Sequence, residues 1–239
     1  MLSRIANFDD VDPLATEPEV DLVMVPPGQP VPPADIVIIP GTKSTIADLA
    51  FFRAQGWDID LDAHVRRGGR VIGLCGGYQM LGKTITDPEG IEGLVGTVDG
   101  LGLLDVDTVL EPHKVTQRVS GEHVRSSSKI SGYEIHVGRT TGTDTDRPAL
   151  MLDGVAVDRT DVAVPRVDGA ISQNGRVWGT YVHGIFGSNE FRQHVLADFG
   201  VTSTHDHEAA VDKALDHWAD QIEREVDLDG LLEVANNRI

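Results

Sequence analysis

The sequence predicts an α/β fold in which a doubly wound, mostly parallel sheet carries added antiparallel strands. Three short apolar runs occur early in the chain, at residues 21–25 (DLVMV), 35–39 (DIVII) and 70–74 (RVIGL). Each has the length of a strand and is apolar at nearly every position, which is typical of parallel strands covered on both faces. Residues 45–55 and 59–67 have helical patterns, begin after polar residues and end at Gln or basic residues. Strands that alternate with helices indicate right-handed βαβ units.

The middle of the chain has a different pattern, with strand-like pieces separated by Gly, Asp, Ser and Thr. We predict antiparallel strands there, with residues 140–147 (TTGTDTDR) as a loop. Residues 170–182 predict two further strands around Asn174-Gly175, a dipeptide that favours tight hairpins. The other predicted pieces are residues 100–109, 114–120, 129–138 and 149–157.

The chain is predicted to be one domain over residues 1–239, with residues 1–20 as a leading segment and residues 207–239 as helical closure. Residues 207–226 have apolar side chains at steps of three and four, which predicts an amphipathic helix packed on the core. These apolar positions are Val211, Leu215, Trp218, Ile222 and Val226.

Composition excludes several functions. Of the 239 residues, 40% are hydrophobic, enough for a core, and 38 Asp plus Glu outnumber 20 Lys plus Arg for a net charge of −18. This balance argues against nucleic acid or an anionic membrane as a partner, because both reward clustered cations. No apolar run reaches the ~20 residues that span a bilayer, and the N-terminus has no apolar signal core.

One cysteine cannot form an internal disulfide, so a reducing cytoplasm is expected. No metal site is predicted, since His205, Asp206 and His207 form only a polar cluster.

Residues 70–82 (RVIGLCGGYQMLG) have the layout of a nucleophile elbow: a strand, a sharp turn with the nucleophile at its tip, and a helix. Small residues relieve the strained turn, and the helix N-terminus favours a thiolate at Cys75. A structural cysteine at the end of a core strand is the alternative.

A second strand end has glycine, in residues 35–45 (DIVIIPGTKST). Since parallel strands end at the same edge of a sheet, the Gly41 and Gly76 N–H groups are predicted to form an oxyanion hole. An ordinary strand-to-helix loop is the alternative.

The predicted base is His183, in residues 179–186 (GTYVHGIF), because it ends a β-rich run and is followed by glycine. His136, in residues 132–138 (GYEIHVG), is the rival.

Residues 77–84 (GYQMLGKT) also fit the phosphate-binding loop pattern, with Lys83 as its lysine. Bulky helix formers fill the loop positions, and the DIVII strand ends in Pro40 where such proteins have an Mg²⁺-binding Asp. A nucleotide-binding protein that uses Lys83 and a non-catalytic binding subunit therefore remain alternative functions.

The chain resembles the glutamine amidotransferase domains of cobyric acid synthases, which have a flavodoxin-like fold. The matching segments run from residue 4 to beyond residue 230 and are RIANFDDVDPL, IIPGTKSTIADL, GLCGGYQMLGK, GLGLLDVDT, SGYEIHVG, GTYVHGIF and DLDGLL. CGGYQMLG is shared with related amidotransferases, including the one that amidates cell-wall lipid precursors, whereas GYEIHVG with GTYVHGIF is more particular.

The resemblance implies a domain that hydrolyses glutamine and supplies ammonia to a separate ATP-dependent synthetase domain. That domain normally precedes this one, would use ATP and Mg, and amidates corrin carboxylates b, d, e and g. That domain is expected to be absent from this chain, which would then be a fragment or one half of a split enzyme, and no cofactor is expected in this chain. A related amidotransferase with another acceptor, such as a cell-wall lipid precursor, is an alternative, and a Cys-His hydrolase or peptidase is a further one.

By position, the resemblance makes Cys75 the nucleophile and His183 the base, with Gly41 and Gly76 at the oxyanion turns. The predicted substrate-binding residues are Gln79, Tyr133, Glu134 and His136. Many relatives have His-x-Glu, whose Glu orients the imidazole, but here Gly184 and Ile185 follow the histidine. The orienting acid is left open between another acid of this chain, such as Glu134, and a partner's residue.

Overall fold

A computed structural model describes residues 1–154, 165–203 and 205–236 of the chain. The chain divides into two compact units, Met1–Ser203 and Thr204–Ile239. Each unit is described by itself below. The predicted single domain over residues 1–239 stays a prediction.

The first sheet of the larger unit supports the nucleophile elbow. It has the order β1-β2-β10-β9 and consists of β1 (Ile36–Ile39), β2 (Arg70–Leu74), β10 (Val177–Thr180) and β9 (Ala170–Ile171). The first three strands are parallel, and β9 is antiparallel to β10. The strands predicted at residues 35–39 and 70–74 are therefore confirmed.

Helices cover both faces of this sheet because successive strand residues point to opposite sides. Ile39 and Val71 pack in one apolar cluster with α2 (Thr45–Ala54), α3 (Trp57–Arg66) and α4 (Gly76–Leu81). Ile72 and Leu74 pack in a second cluster with Phe191 and Leu196 of α5 (Asn189–Ala197), and with Leu14 of the short α1 (Asp12–Ala15). The α/β class and the two predicted helices between β1 and β2 are confirmed.

The second sheet contains the antiparallel strands predicted for the middle of the chain. Its strand order is β11-β6-β5-β3-β4, and β7 and β8 extend it from β5. Among the described strands of this sheet, only β3 and β5 pair in parallel. The strands are β3 (Thr84–Asp87), β4 (Gly96–Asp99), β5 (Asp107–His123), β6 (Lys129–Thr141), β7 (Leu150–Leu152), β8 (Arg166–Asp168) and β11 (Val182–His183).

Three of the predicted strands differ from the structure in existence or extent. Residues 21–25 alternate in exposure but form no strand. The piece predicted at residues 100–109 becomes a strand only at Asp107, because residues 101–104 instead donate backbone hydrogen bonds to carbonyls at the end of α4 and just after it. β7 is the described part of the strand predicted at 149–157, whose end lies outside the described residues.

Two turns were predicted from composition. The hairpin at Asn174-Gly175 is confirmed, since β9 and β10 pair across it and Gly175 has φ of 73°. The predicted loop at residues 140–147 is in fact the end of β6 followed by a 3-10 turn, Thr143–Asp146.

The smaller unit consists of α6 (His207–Glu225) and α7 (Leu228–Asn236). Asp206 caps α6 by accepting a 3.1 Å hydrogen bond from the Ala209 N–H. The predicted amphipathic helix is confirmed. Its packing on the core, which lies in the other unit, stays a prediction.

Candidate active site

Cys75 lies at the tip of a strained turn between β2 and α4. Its backbone has φ of 50° and ψ of −110°, a conformation that costs a non-glycine residue about 1–3 kcal/mol. The Cys75 N–H donates to the Thr180 carbonyl at 2.8 Å, and its carbonyl accepts from the Gln79 N–H at 3.1 Å. Gly77 permits the close approach of β1, because a Cβ there would lie 2.0 Å from the Ile39 carbonyl oxygen. The predicted elbow is therefore present.

The thiol of Cys75 faces the second sheet. Its side chain is 8% exposed, and Sγ lies 3.4 Å from the carbonyl oxygen of Ile135 on β6. β6 thus forms one wall of the site, and the same strand pairs with β11, placing Tyr133 opposite His183.

His183 is held by a carboxylate from the start of the chain. Its side chain is 1% exposed, and Nδ1 lies 2.7 Å from Oδ2 of Asp10. The other oxygen of Asp10 accepts a 2.7 Å hydrogen bond from the Gly184 N–H. Gly184 has φ of 75°, a backbone conformation that glycine adopts readily. One carboxylate therefore orients both the ring and the turn that follows it.

The faces of the imidazole are also contacted. The side-chain nitrogen of Asn7 lies 3.1 Å from Nδ1 and 3.0 Å from Nε2. A nitrogen at equal distances from both ring nitrogens lies over the ring, since an in-plane position would overlap the carbon between them. Tyr133 stacks on the ring with centroids 5.4 Å apart.

The electrostatics of this cluster favour a charged imidazole. Burial opposes the charge, but hydrogen bonds and Coulomb attraction from Asp10 and Cys75 outweigh it and raise the pKa of His183 to about 9. Because Asp10 occupies Nδ1, Nε2 is the nitrogen left for the thiol. The imidazole is therefore charged at neutral pH, and a cation next to the thiol is typical of cysteine nucleophiles.

Asp10 is the residue of the candidate site that sequence reasoning missed. Glu134, one of the two options left open for the orienting acid, is fully buried elsewhere in the network. Its carboxylate pairs with Arg166 and accepts a 2.6 Å hydrogen bond from Gln117. Asp10 lies 173 positions before His183, so no local spacing pointed to it.

The predicted oxyanion residues lie together at the sheet edge. Gly41 lies just after β1 and packs against His183, so that a Cβ at Gly41 would be 2.7 Å from Cε1 of the histidine. A Cβ on Gly76 would lie 2.6 Å from Cγ2 of Thr42, so the elbow and the loop after β1 adjoin. The Gly76 N–H belongs to the first residue of α4, where backbone donors have no intrahelical partner. Their oxyanion role stays a prediction.

Gln79 is buried and fully engaged by the protein. Its nitrogen donates to the Val137 carbonyl and the Tyr181 hydroxyl, and its oxygen accepts from Thr45 at 2.8 Å. These bonds join α2 and α4 to β6. They favour support of the site over the predicted substrate contact, which no observation tests.

The remaining predicted substrate residues line β6. Tyr133 is partly exposed beside His183, and burial raises the pKa of its hydroxyl to about 12. His136 stacks on Tyr181 with centroids 3.8 Å apart, and burial lowers its pKa. Its Nδ1 has no hydrogen-bond partner among the described residues. The electrostatics therefore separate the two candidate bases, since Asp10 supports a charge on His183 whereas burial disfavours one on His136.

The phosphate-loop pattern at residues 77–84 is not a loop. Residues Gly76–Leu81 form α4, all six are buried, and Lys83 pairs with Asp105. A phosphate-binding loop is an open turn that wraps its N–H groups around the anion, and a helix of buried residues at these positions does not form one. Among the described residues, none of the His, Cys, Asp and Glu side chains form a group of three placed to hold a metal, and no helix has the length and apolarity to cross a membrane.

The fold and site define an α/β protein with a cysteine nucleophile elbow and a carboxylate-bound histidine. Residues 1–191 match the CobB/CobQ-like glutamine amidotransferase domain. The chain belongs to this family.

Relatives agree with this assignment, and a solved structure shares the fold. The chain is 54% identical to a cobyric acid synthase of Caulobacter sp. (strain K31) and 54% identical to one of Rhodobacter capsulatus, with 98% of the chain covered in both cases. It spans 47% of each of those relatives. A solved structure of PurLQS from Thermotoga maritima matches with a TM-score of 0.54 at 16% identity, covering 77% of this chain and 84% of that one. At this identity the match shows the fold alone.

Proposed function

We propose that this chain hydrolyses glutamine to glutamate and ammonia, with Cys75 as nucleophile and His183 as its base. The observation that carries the proposal is the strained elbow at Cys75 with the buried imidazole of His183 beside it. The family assignment supplies glutamine as the substrate.

In this mechanism the Cys75 thiolate attacks the side-chain carbonyl carbon of glutamine. Gly41 and Gly76 N–H groups stabilise the oxyanion, where one donor is typically worth about 10²–10³ in rate. The C–N bond then breaks, ammonia leaves with a proton from His183, and a thioester remains. Water, deprotonated by His183, attacks the thioester, so that glutamate leaves and the thiolate is restored.

We further propose that the ammonia serves cobyric acid synthesis. Cobyric acid synthases are about twice the length of this chain. The resemblance implies that an ATP- and Mg-dependent synthetase domain uses the ammonia to amidate corrin carboxylates b, d, e and g. We also propose a cytoplasmic location, because no disulfide can form from one cysteine.

Labelling of Cys75 tests the glutaminase proposal. We expect a glutamine-mimicking chloroketone to modify Cys75 once per chain, because the electrophilic carbon lies where the amide carbonyl would be attacked. Intact and peptide mass spectrometry measure the modification. Glutamine should slow it and asparagine should not, since asparagine is one methylene shorter. Absence of labelling, or equal protection by both amino acids, would contradict the proposal and favour a non-catalytic subunit.

A methyl group at Gly41 should reduce the labelling rate. Gly41→Ala places its Cβ against Cε1 of the rigidly held His183. We expect a loss of about 10–10²-fold, the size associated with misplaced catalytic groups. Gly96→Ala is the matched control, because a Cβ there meets nothing within 4 Å. Equal rates for the two variants would show that the loop after β1 does not position the site.

A further inference from the structure

The segment that carries Asp10 contacts both halves of the candidate site. The Ala6 N–H donates to the Gly41 carbonyl at 2.9 Å, and the Lys43 N–H donates to the Arg4 carbonyl at 3.1 Å. An antiparallel bridge between Ile5 and Thr42 lies between these bonds. Residues 4–6 are therefore paired with the loop that holds the predicted oxyanion donor.

The same segment reaches His183 a few residues later. Asn7 has φ of 52°, which turns the chain into the 3-10 turn Phe8–Val11. This turn brings the Asp10 carboxylate to Nδ1 of the imidazole. Beyond the turn, Leu14 packs in the core with Phe186, and Glu17 pairs with Arg192. Contacts of the chain both before and after Asp10 therefore hold this residue in place.

We propose that Asp10 is the positioning residue that completes the Cys75–His183 unit. Residues 4–10 would then set the base and the oxyanion loop relative to one another. The proposal rests on the proposed function and deepens it. It also gives the missing acid of the His-x-Glu pattern an intramolecular replacement.

The hydrogen-bond pattern explains why a carboxylate is required. Ionised Asp10 can only accept, so Nδ1 of His183 must carry a proton and Nε2 of the neutral ring is the free base. The Gly184 N–H requires an acceptor at the other oxygen. In Asp10→Asn the amide oxygen would accept the hydrogen bond of the Gly184 N–H, and the NH₂ group would donate to Nδ1. The neutral ring would then carry its proton on Nε2, so that Nε2 could not accept the proton of the thiol.

The first arm of the test is the rate at which the glutamine-mimicking chloroketone labels Cys75 in the whole chain. We expect Asp10→Asn to lower the rate by about 10²–10⁴-fold at pH 7, the range known for the equivalent change in other triads. Asp10→Glu should recover part of the loss by restoring an acceptor-only group. Asp9→Asn is the matched control, since it removes an exposed charge from the same turn and should change the rate by less than about threefold.

The second arm is the NMR titration of the His183 imidazole. The titratable groups around the ring are Asp10 and Cys75, which raise its pKa, Tyr133, which stacks on it, and His136, whose own pKa is lowered by burial and by this ring. The pKa of His183 should be near 9 in the wild type and should fall by at least about one unit in Asp10→Asn. Repeating both titrations in a Cys75→Ser background, which lacks the contribution of the thiol, separates the effect of Asp10 from that of Cys75.

The two arms distinguish the possible failures. Asp10→Asn with a labelling rate within about threefold of wild type and an unchanged titration would overturn the positioning role and leave the glutaminase proposal intact. A wild-type chain that is not labelled would overturn the glutaminase proposal, while the titration would still decide the Asp10 contact. If Asp10→Asn does not fold, the titration of Cys75→Ser decides, because no thiol is left there to raise the pKa of His183. A midpoint below about 7.5, within one unit of ordinary histidine, overturns the proposal, and a higher one supports it.

Discussion

Cys75→Ala should abolish glutamine hydrolysis, with a loss of about 10⁴-fold or more in turnover. The thiol supplies the atom that bonds to the substrate, and removal of a nucleophile costs about as much as removal of the whole catalytic unit. Glutamine binding should persist, because the substituted side chain is small and the wall formed by β6 is unchanged. Glutamate release in the presence of the synthetase part measures turnover, and calorimetry measures binding.

Lys83→Ala is the informative control for this variant. Lys83 lies near the elbow in sequence but pairs with Asp105 and lies just beyond α4. Its removal should leave glutamine hydrolysis within about threefold of wild type, as for other surface ion pairs. Full turnover by Cys75→Ala, or tight nucleotide binding that Lys83→Ala removes, would show that a different chemistry is at work.

His183→Ala should lower the rate of Cys75 labelling at pH 7 by about 10³-fold, a size typical of lost general-base catalysis. The reason is that the variant has no group to take the thiol proton or to stabilise the thiolate. An ordinary thiol ionises near pH 8.5, so labelling of the variant should rise steeply between about pH 7 and pH 9.5. Wild-type labelling should change less across that interval, because the imidazolium persists up to about pH 9.

Two histidine controls accompany this prediction. His113→Ala removes an exposed histidine and should have no effect. His136→Ala removes the rival base, which stacks on Tyr181, and should reduce labelling far less than His183→Ala. The reverse order of the last two effects would transfer the role of base to His136.

Local sequence patterns predicted the nucleophile elbow well. An apolar strand, a small-residue turn and a helix are contiguous, so their physical requirements appear within 13 letters of sequence, RVIGLCGGYQMLG. Small residues after Cys75 were expected, but the contact that requires Gly77, with the Ile39 carbonyl of β1, was not predicted. The same local reasoning identified His183 by its place at a strand end.

Local patterns failed where tertiary packing decided the outcome. Residues 21–25 have a strand composition, but a strand also needs a hydrogen-bonded neighbour, and no strand in the described part of the chain pairs with them. Composition gives the strand propensity of a segment, whereas pairing with a neighbour depends on the tertiary structure.

Cys75 and His183 could be predicted from the sequence because each is followed by a glycine that suits a sharp turn of the backbone. The acid that contacts His183 could not be predicted in this way. Asp10 and Glu134 are both acidic and both lie in segments that match the family, but Asp10 contacts His183 whereas Glu134 pairs with Arg166. That difference depends on how a segment at the start of the chain folds across the end of β11, a contact over 173 positions that no periodicity or spacing encodes.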